Sequence, residues 1–224
     1  MYKFDPHTHT EESSLCAIAP ARKLVNAYHK AGFGGIAITD HLAEYVIQRR
    51  GLGWDDFVTS VLAGYKAAKR HGDNIGLDVI HGVEMSFIND PSDYLIYGID
   101  EEFLRENPFV HKLGLKKFYQ RFGDRFLIIQ AHPFRNGNKA STTGCIHGIE
   151  VFNGNPWGDN NNDKARAFHD RRPNLLPFSS SDAHSADPKG VGRGWLELEY
   201  PVKTANEFKD LVLRRDYEIG FTGK

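Results

Sequence analysis

FDPHTHTEESS, residues 4–14, leads from a short strand candidate, Tyr2 to Phe4, into a pair of histidines, His7 and His9. On an extended chain the i, i+2 spacing turns both imidazoles to one face, where they can grip one ion. The same arrangement, a short apolar strand with polar side chains at or just past its end, repeats along the chain. Ile36 to Ile38 leads into Asp40 and His41, Leu77 to Val83 into Glu84, and Phe126 to Gln130 into His132. Gly148 to Phe152 carries Glu150 and leads into Asn153, and Leu176 to Ser180 leads into Asp182 and His184. If the strands run parallel and close into a barrel, these carboxyl-terminal clusters converge on the face where barrel sites are built.

Helical periodicity fills the intervals. Pro20 to Lys30, Asp55 to Arg70, Lys112 to Phe122, Asp163 to Arg171 and Thr204 to Arg214 read as helices, and Tyr94 to Ile99 and Trp195 to Leu198 as further strands. Strands alternating with helices predict an α/β fold with a largely parallel sheet, here one domain over residues 1–224. The stretch NGNPWGDNNND, residues 153–163, reads as a long surface loop.

The composition narrows the function. The chain has 224 residues, of which 40% are hydrophobic and 25% charged, ordinary values for a globular protein with a sizeable core. With 28 basic and 29 acidic residues the net charge is −1, so extended nucleic acid is not an expected partner. Cys16 and Cys145 make no disulfide framework. The N-terminal residues hold no apolar signal segment and no run is long enough to span a membrane, so a cytoplasmic location is expected. No GxSxG elbow, HExxH helix, P-loop or GxGxxG fingerprint stands in the chain.

Imidazole with carboxylate suits zinc, iron or manganese. Two such ions about 3.5–4 Å apart can activate water and clamp oxygens during displacement at phosphorus. A phosphate needs cationic donors, and Arg135, three residues past His132, and Arg193, in GVGRGW, are the candidates, with Lys139 behind them. Asp40 is placed to orient His41 from behind, and Asp5 to do the same for His7. Phe134, Phe152 and Trp157 are candidate walls for a substrate ring or base, and Cys16 sits in the loop after the histidine pair. His29, His71, His81, His111, His147 and His169 lack acidic partners at strand ends and are read as structural or solvated.

The segments FDPHTHTEES, GIAITDH, HGVEMSF, AHPF, IEVFNG and SSSDAH, in this order from residue 4 to about 193, resemble the PHP (polymerase and histidinol phosphatase) phosphoesterases. The resemblance implies a distorted (β/α)7 TIM-like barrel holding two or three divalent ions, and hydrolysis of a phosphate ester by a metal-activated hydroxide. It implies His7, His9, Glu84 and Asp182 at a first ion, Glu84 and His132 at a second, with Glu84 bridging, and His41 and His184 at a third. Asp182, His184 and Arg135 become the expected catalytic residues, with Arg135 and Arg193 on the substrate phosphate. A small phosphomonoester is the favoured substrate; a phosphodiester or short oligonucleotide, or a non-catalytic metal-binding role, are the alternatives. The chain departs from the pattern twice. Where related proteins place a histidine or aspartate after the histidine pair, it has Ser13, Ser14, Leu15 and Cys16, with only Glu11 and Glu12 nearby as carboxylates. Where they place another second-site histidine, after the strand Tyr94 to Ile99, it offers Asp100.

Overall fold

The computed structural model describes residues 2–222. Its strands are β1 (Tyr2–Thr8), β2 (Gly35–Ile38), β3 (His41–Leu42), β4 (Asp78–Ser86), β5 (Asp93–Tyr97), β6 (Leu127–Gln130), β7 (Gly148–Asn153), β8 (Leu176–Ser180), β9 (Gly194–Leu198) and β10 (Tyr217–Phe221). Its helices are α1 (Ala21–Lys30), α2 (Glu44–Arg50), α3 (Trp54–Val61), α4 (Ala63–Ile75), α5 (Glu101–Glu106), α6 (Leu115–Phe122), α7 (Asn162–Asp170) and α8 (Ala205–Arg214). The strands form one curved sheet in the order β10-β9-β1-β2-β4-β5-β6-β7-β8, with β3 paired to β4.

The sheet nearly closes into a barrel. The end of β1 makes a parallel bridge, Thr8 to Ala183, just past β8, and the His9 N–H donates to the Ala183 carbonyl at 2.9 Å. Between β8 and β9 no ladder forms, and a seam remains there. The opposite end is plugged by α8, whose Phe208 packs 4.9 Å, centroid to centroid, from both Phe4 and Tyr97. Phe208 is fully buried, so truncating it to alanine should cost about 3–5 kcal/mol.

The expectation of a largely parallel sheet is corrected. β1, β2 and β4 run parallel, as do β6, β7 and β8, but β5 runs antiparallel to both its neighbours, and β9 and β10 are antiparallel additions outside β1. The connections around β5 explain this: only six residues, 87–92, join β4 to β5, too few for the crossover that a parallel pair requires.

Two predicted helices are each broken. Asp55 to Arg70 becomes α3 and α4 because the Ser13 hydroxyl enters the helical ladder. It donates to the Ser60 carbonyl and accepts the Gly64 N–H, each at 2.9 Å, replacing the bond those two groups would make with each other. Gly64 is required there, since a Cβ would overlap the Thr10 hydroxyl and crowd Asp40. Lys112 to Phe122 becomes a 3-10 turn, Val110–Leu113, and α6, separated by Gly114 in a left-handed conformation (φ 75°). α2, α5 and β10 were not legible as periodic segments, being only five to seven residues long.

Candidate metal centre

At the open mouth of the barrel the structure gathers His7, His9, His41, Glu84, His132, Asp182 and His184, all seven predicted ligands. His7 and His9 face each other, Nε2 to Nε2, at 3.0 Å. Around that pair stand Glu84 Oε2, at 3.5 and 3.2 Å, and Asp182 Oδ1, at 3.4 and 3.3 Å. Glu84 also reaches His41 Nδ1 at 3.0 Å and, through its other oxygen, His132 Nε2 at 2.8 Å. Three groups have donor atoms close enough to share an ion: His7, His9 and Glu84; Glu84, Asp93 and His132; and His9, His41 and His184. Glu84 and His9 each belong to two groups, so the three form one continuous constellation.

The donor set fits divalent cations. Histidine nitrogens and carboxylate oxygens are the ligands that zinc, iron and manganese accept. His132 Nδ1 and Asp182 Oδ1 are buried without a hydrogen-bond partner, a cost that a cation shared by the cluster would offset at Asp182. Burial opposes charge on Glu84 and Asp182, yet His41 and His7 around the first, and His7 and Arg135 around the second, hold both carboxyls well below the usual range. Burial, reinforced by His9, pulls His184 down to about 4, so its imidazole is neutral and keeps a lone pair for a metal.

A second ring of polar groups fixes these side chains. Glu150 accepts from His7 Nδ1 at 2.9 Å, the His132 N–H at 2.7 Å, Asn153 Nδ2 at 2.8 Å and the Ser180 hydroxyl. One carboxylate thus orients two candidate ligands from different strands. Asp40 was expected to orient the His41 ring but does not; it accepts from the Thr10 N–H (2.8 Å) and the Ser14 hydroxyl (2.6 Å), and Ser14 Oγ lies 3.2 Å from His9 Nδ1. Asp5 likewise misses the His7 ring: it accepts from the Tyr28 hydroxyl at 2.6 Å and the Ser181 N–H, tying β1 to the end of β8, and burial pushes its pKa up to about 7. His132 and Asp182 take positive φ angles of 26° and 50°, backbone strain concentrated at the cluster.

Several expectations fail for a geometric reason. Asp100 is not a substitute ligand: it caps α5, accepting the Phe103 N–H at 2.7 Å, and lies at the far end of β5. Because β5 is reversed, its amino end faces the mouth, and Asp93 there, overlooked in the sequence, joins Glu84 and His132. Glu12 caps α1 by accepting the Ala21 N–H, and Glu11 is exposed, so neither supplies a carboxylate to the His41–His184 side. Arg135 is engaged: its Nη2 donates to Asp182 at 2.5 Å and Asn153 at 2.8 Å, and its Nε to Asn160 at 2.7 Å. Arg193 lies apart, lining a cleft beside the asparagine-rich loop after β7. Phe134 and Phe152 pack on Phe168 and Phe221, whereas Trp157 is exposed with its ring 5.3 Å from His184. Among the described residues no helix is long and apolar enough to cross a membrane.

Known proteins share this architecture. A two-domain protein from Bacteroides vulgatus ATCC 8482, containing a predicted PHP-like metal-dependent phosphoesterase, superposes with a TM-score of 0.71 over 98% of this chain, at 19% identity. The chain spans 64% of that protein. PsfC from Pseudomonas syringae PB-5123 gives a TM-score of 0.68 over 100% of this chain and 93% of its own, at 16% identity. Endonuclease Q, solved with a 27-mer duplex bearing an abasic lesion at its active site, gives 0.60 over 95% of this chain and 56% of its own, at 15% identity. No functionally curated protein matches the chain. The sequence model of the PHP domain matches residues 5–167, which spans β1 to α7 and every candidate ligand except Asp182 and His184, and the chain belongs to the PHP domain family.

Proposed function

We propose that the chain is a metal-dependent phosphoesterase acting on a small phosphate ester, with a phosphomonoester favoured. The observation that carries this reading is the constellation of three overlapping histidine–carboxylate groups, joined through Glu84 and His9, with Asp182 Oδ1 buried and unpartnered among them. His7, His9, His41, Glu84, Asp93, His132, Asp182 and His184 are the residues that hold two or three divalent ions. Bound there, zinc, manganese or iron supplies a nucleophilic water at neutral pH and neutralises charge on the phosphoryl oxygens.

The protein's own residues do the rest. Glu150 holds His7 and His132 in register across the mouth. Arg135 is a positioning residue for Asp182 rather than a phosphate clamp, since its Nε and Nη2 donors are committed to protein oxygens. His184, held low at about 4 by burial and His9, serves as a ligand. Endonuclease Q carries duplex DNA on the same fold, so the expectation that extended nucleic acid is excluded rests on net charge alone and is not carried forward.

The test is phosphate release from a panel of phosphomonoesters by chelator-treated protein refilled with manganese, zinc or iron. Metal-dependent turnover that disappears in Asp182→Asn is the expected result. Silence across the panel with bound metal confirmed, followed by silence on phosphodiesters, overturns the reading in favour of a non-catalytic metal module.

A further inference from the structure

A cavity of about 780 Å³ opens between the asparagine-rich loop after β7, the start of α7 and the end of β10, with Arg193 on its wall. Arg193, Lys164 and Arg166 line it, together with Asn153 and Asn155. Those two amides also bound the metal centre: Asn153 Nδ2 donates to Asp182 Oδ2 at 3.2 Å, and Asn155 Nδ2 to the Asp182 carbonyl at 3.1 Å. The cavity and the metal centre are therefore one side chain apart.

Arg193 is built into this wall. Its N–H donates to Ser181 Oγ and its carbonyl accepts the Thr222 N–H, both at 2.8 Å. Gly154 lies flush against its stem, where a Cβ would overlap the arginine Cβ. The backbone is pinned and the side chain is half-buried, yet among the described residues the guanidinium donates to no protein acceptor and joins no ion pair. Lys164 is exposed on the same wall and joins no ion pair among those residues either. Two carboxylates also line the cavity, Asp163, paired with Arg166, and Asp159, which accepts the Asn161 N–H, against the three cations Lys164, Arg166 and Arg193. Arg135 and Arg193 thus differ in kind. A planar fork with five free N–H donors, held on a fixed backbone at a concave wall, is the donor set for a phosphate.

We propose that this cavity is a second anion subsite, in which Arg193, assisted by Lys164, holds a non-reacting phosphate of a substrate whose scissile phosphate lies at the metal centre. The substrate class is then a compound bearing two phosphate groups. This rests on the phosphoesterase reading for turnover, but the subsite itself is testable without it.

Two measurements decide. In the first, metal-loaded wild type, Arg193→Gln and Arg193→Lys are compared on matched alkanediol monophosphates and bisphosphates of graded spacer length. The wild type should favour the best bisphosphate by about tenfold or more in kcat/KM, carried by KM, the scale of one lost charge-assisted contact. Arg193→Gln should bring the ratio close to one, and Arg193→Lys should restore part of it. A wild-type ratio near one, or a ratio unmoved in Arg193→Gln, overturns the subsite while leaving the phosphoesterase reading intact. In the second, binding of inorganic phosphate to the metal-free full chain is followed by calorimetry. Arg193→Gln should weaken it about tenfold or more. Arg193-dependent binding with no turnover of any ester keeps the subsite and sinks the phosphoesterase reading; the absence of Arg193-dependent binding sinks the subsite.

Discussion

β4 and β5 each carry polar residues at the two ends of the barrel, and the two ends treat them differently. At the mouth, Glu84 and Asp93 face imidazoles, and Asp182 Oδ1 beside them is buried without a hydrogen-bond partner. Toward the plugged end, His81 bonds the Ile99 carbonyl at 3.0 Å and packs its ring 5.0 Å from Tyr65, and Asp100 caps α5. The residue types are the same. A ligand differs from a structural residue in the valences the fold leaves open, and only the mouth leaves them open in a converging set.

The sharpest way to break this contrast is Glu84→Gln. It removes the charge shared by two of the three groups, so metal content should fall and turnover should drop by about a thousandfold or more, with the far-ultraviolet circular dichroism unchanged. Retained activity at full metal content would return Glu84 to the structural side. Next comes the pair at the ends of β5. Asp93→Asn should weaken metal binding by about 10–100-fold, whereas Asp100→Ala should leave it untouched and cost about 1 kcal/mol of stability through the lost cap. Metal titrations and urea melts of both variants read this directly; equal metal affinities would mean that β5 contributes nothing to the site.

Arg135→Ala should leave the Asp182 carboxylate without its cation, lowering metal affinity by about 10–100-fold along with kcat. Arg135→Lys should not rescue it, because an ammonium cannot span Asp182, Asn153 and Asn160 together. A change confined to KM would instead return Arg135 to a phosphate-binding role.

The smallest effect belongs to the plugged end and to pH. Burial lowers His81 to about 4, against 6.5 for an unburied histidine. Between these values the unfolded chain binds the proton more tightly, so this stability is full above pH 6.5 and is lost as pH falls toward 4. The loss amounts to about 2 kcal/mol on going from pH 7 to 5. His81→Gln removes the titration, and the gap between its urea midpoint and that of the wild type should close by that amount over the same range. A gap independent of pH would show that His81 is not neutral in the folded chain.

The sequence carried more of the site than of the fold. His7, His9, His41, Glu84, His132, Asp182 and His184 were all legible, because each sits at a strand end marked by a local apolar run. Asp93 was missed because strand direction leaves no local trace: a reader assuming parallel strands looks past the carboxyl end of β5 and finds Asp100. The helix break at Leu62 was invisible for a similar reason, since the group that splits the ladder, the Ser13 hydroxyl, lies 47 residues before the Ser60 carbonyl it bonds.

By itself, then, the sequence determined which residues are candidates for metal binding, that they recur at strand ends, and which family the chain resembles, because periodicity and side-chain type are local properties. The tertiary structure alone decided which of them keep an open valence. The reversal of β5, the engagement of Arg135 by Asp182, Asn153 and Asn160, and a guanidinium of Arg193 that meets no acceptor among the described residues all depend on partners brought together only when the barrel closes.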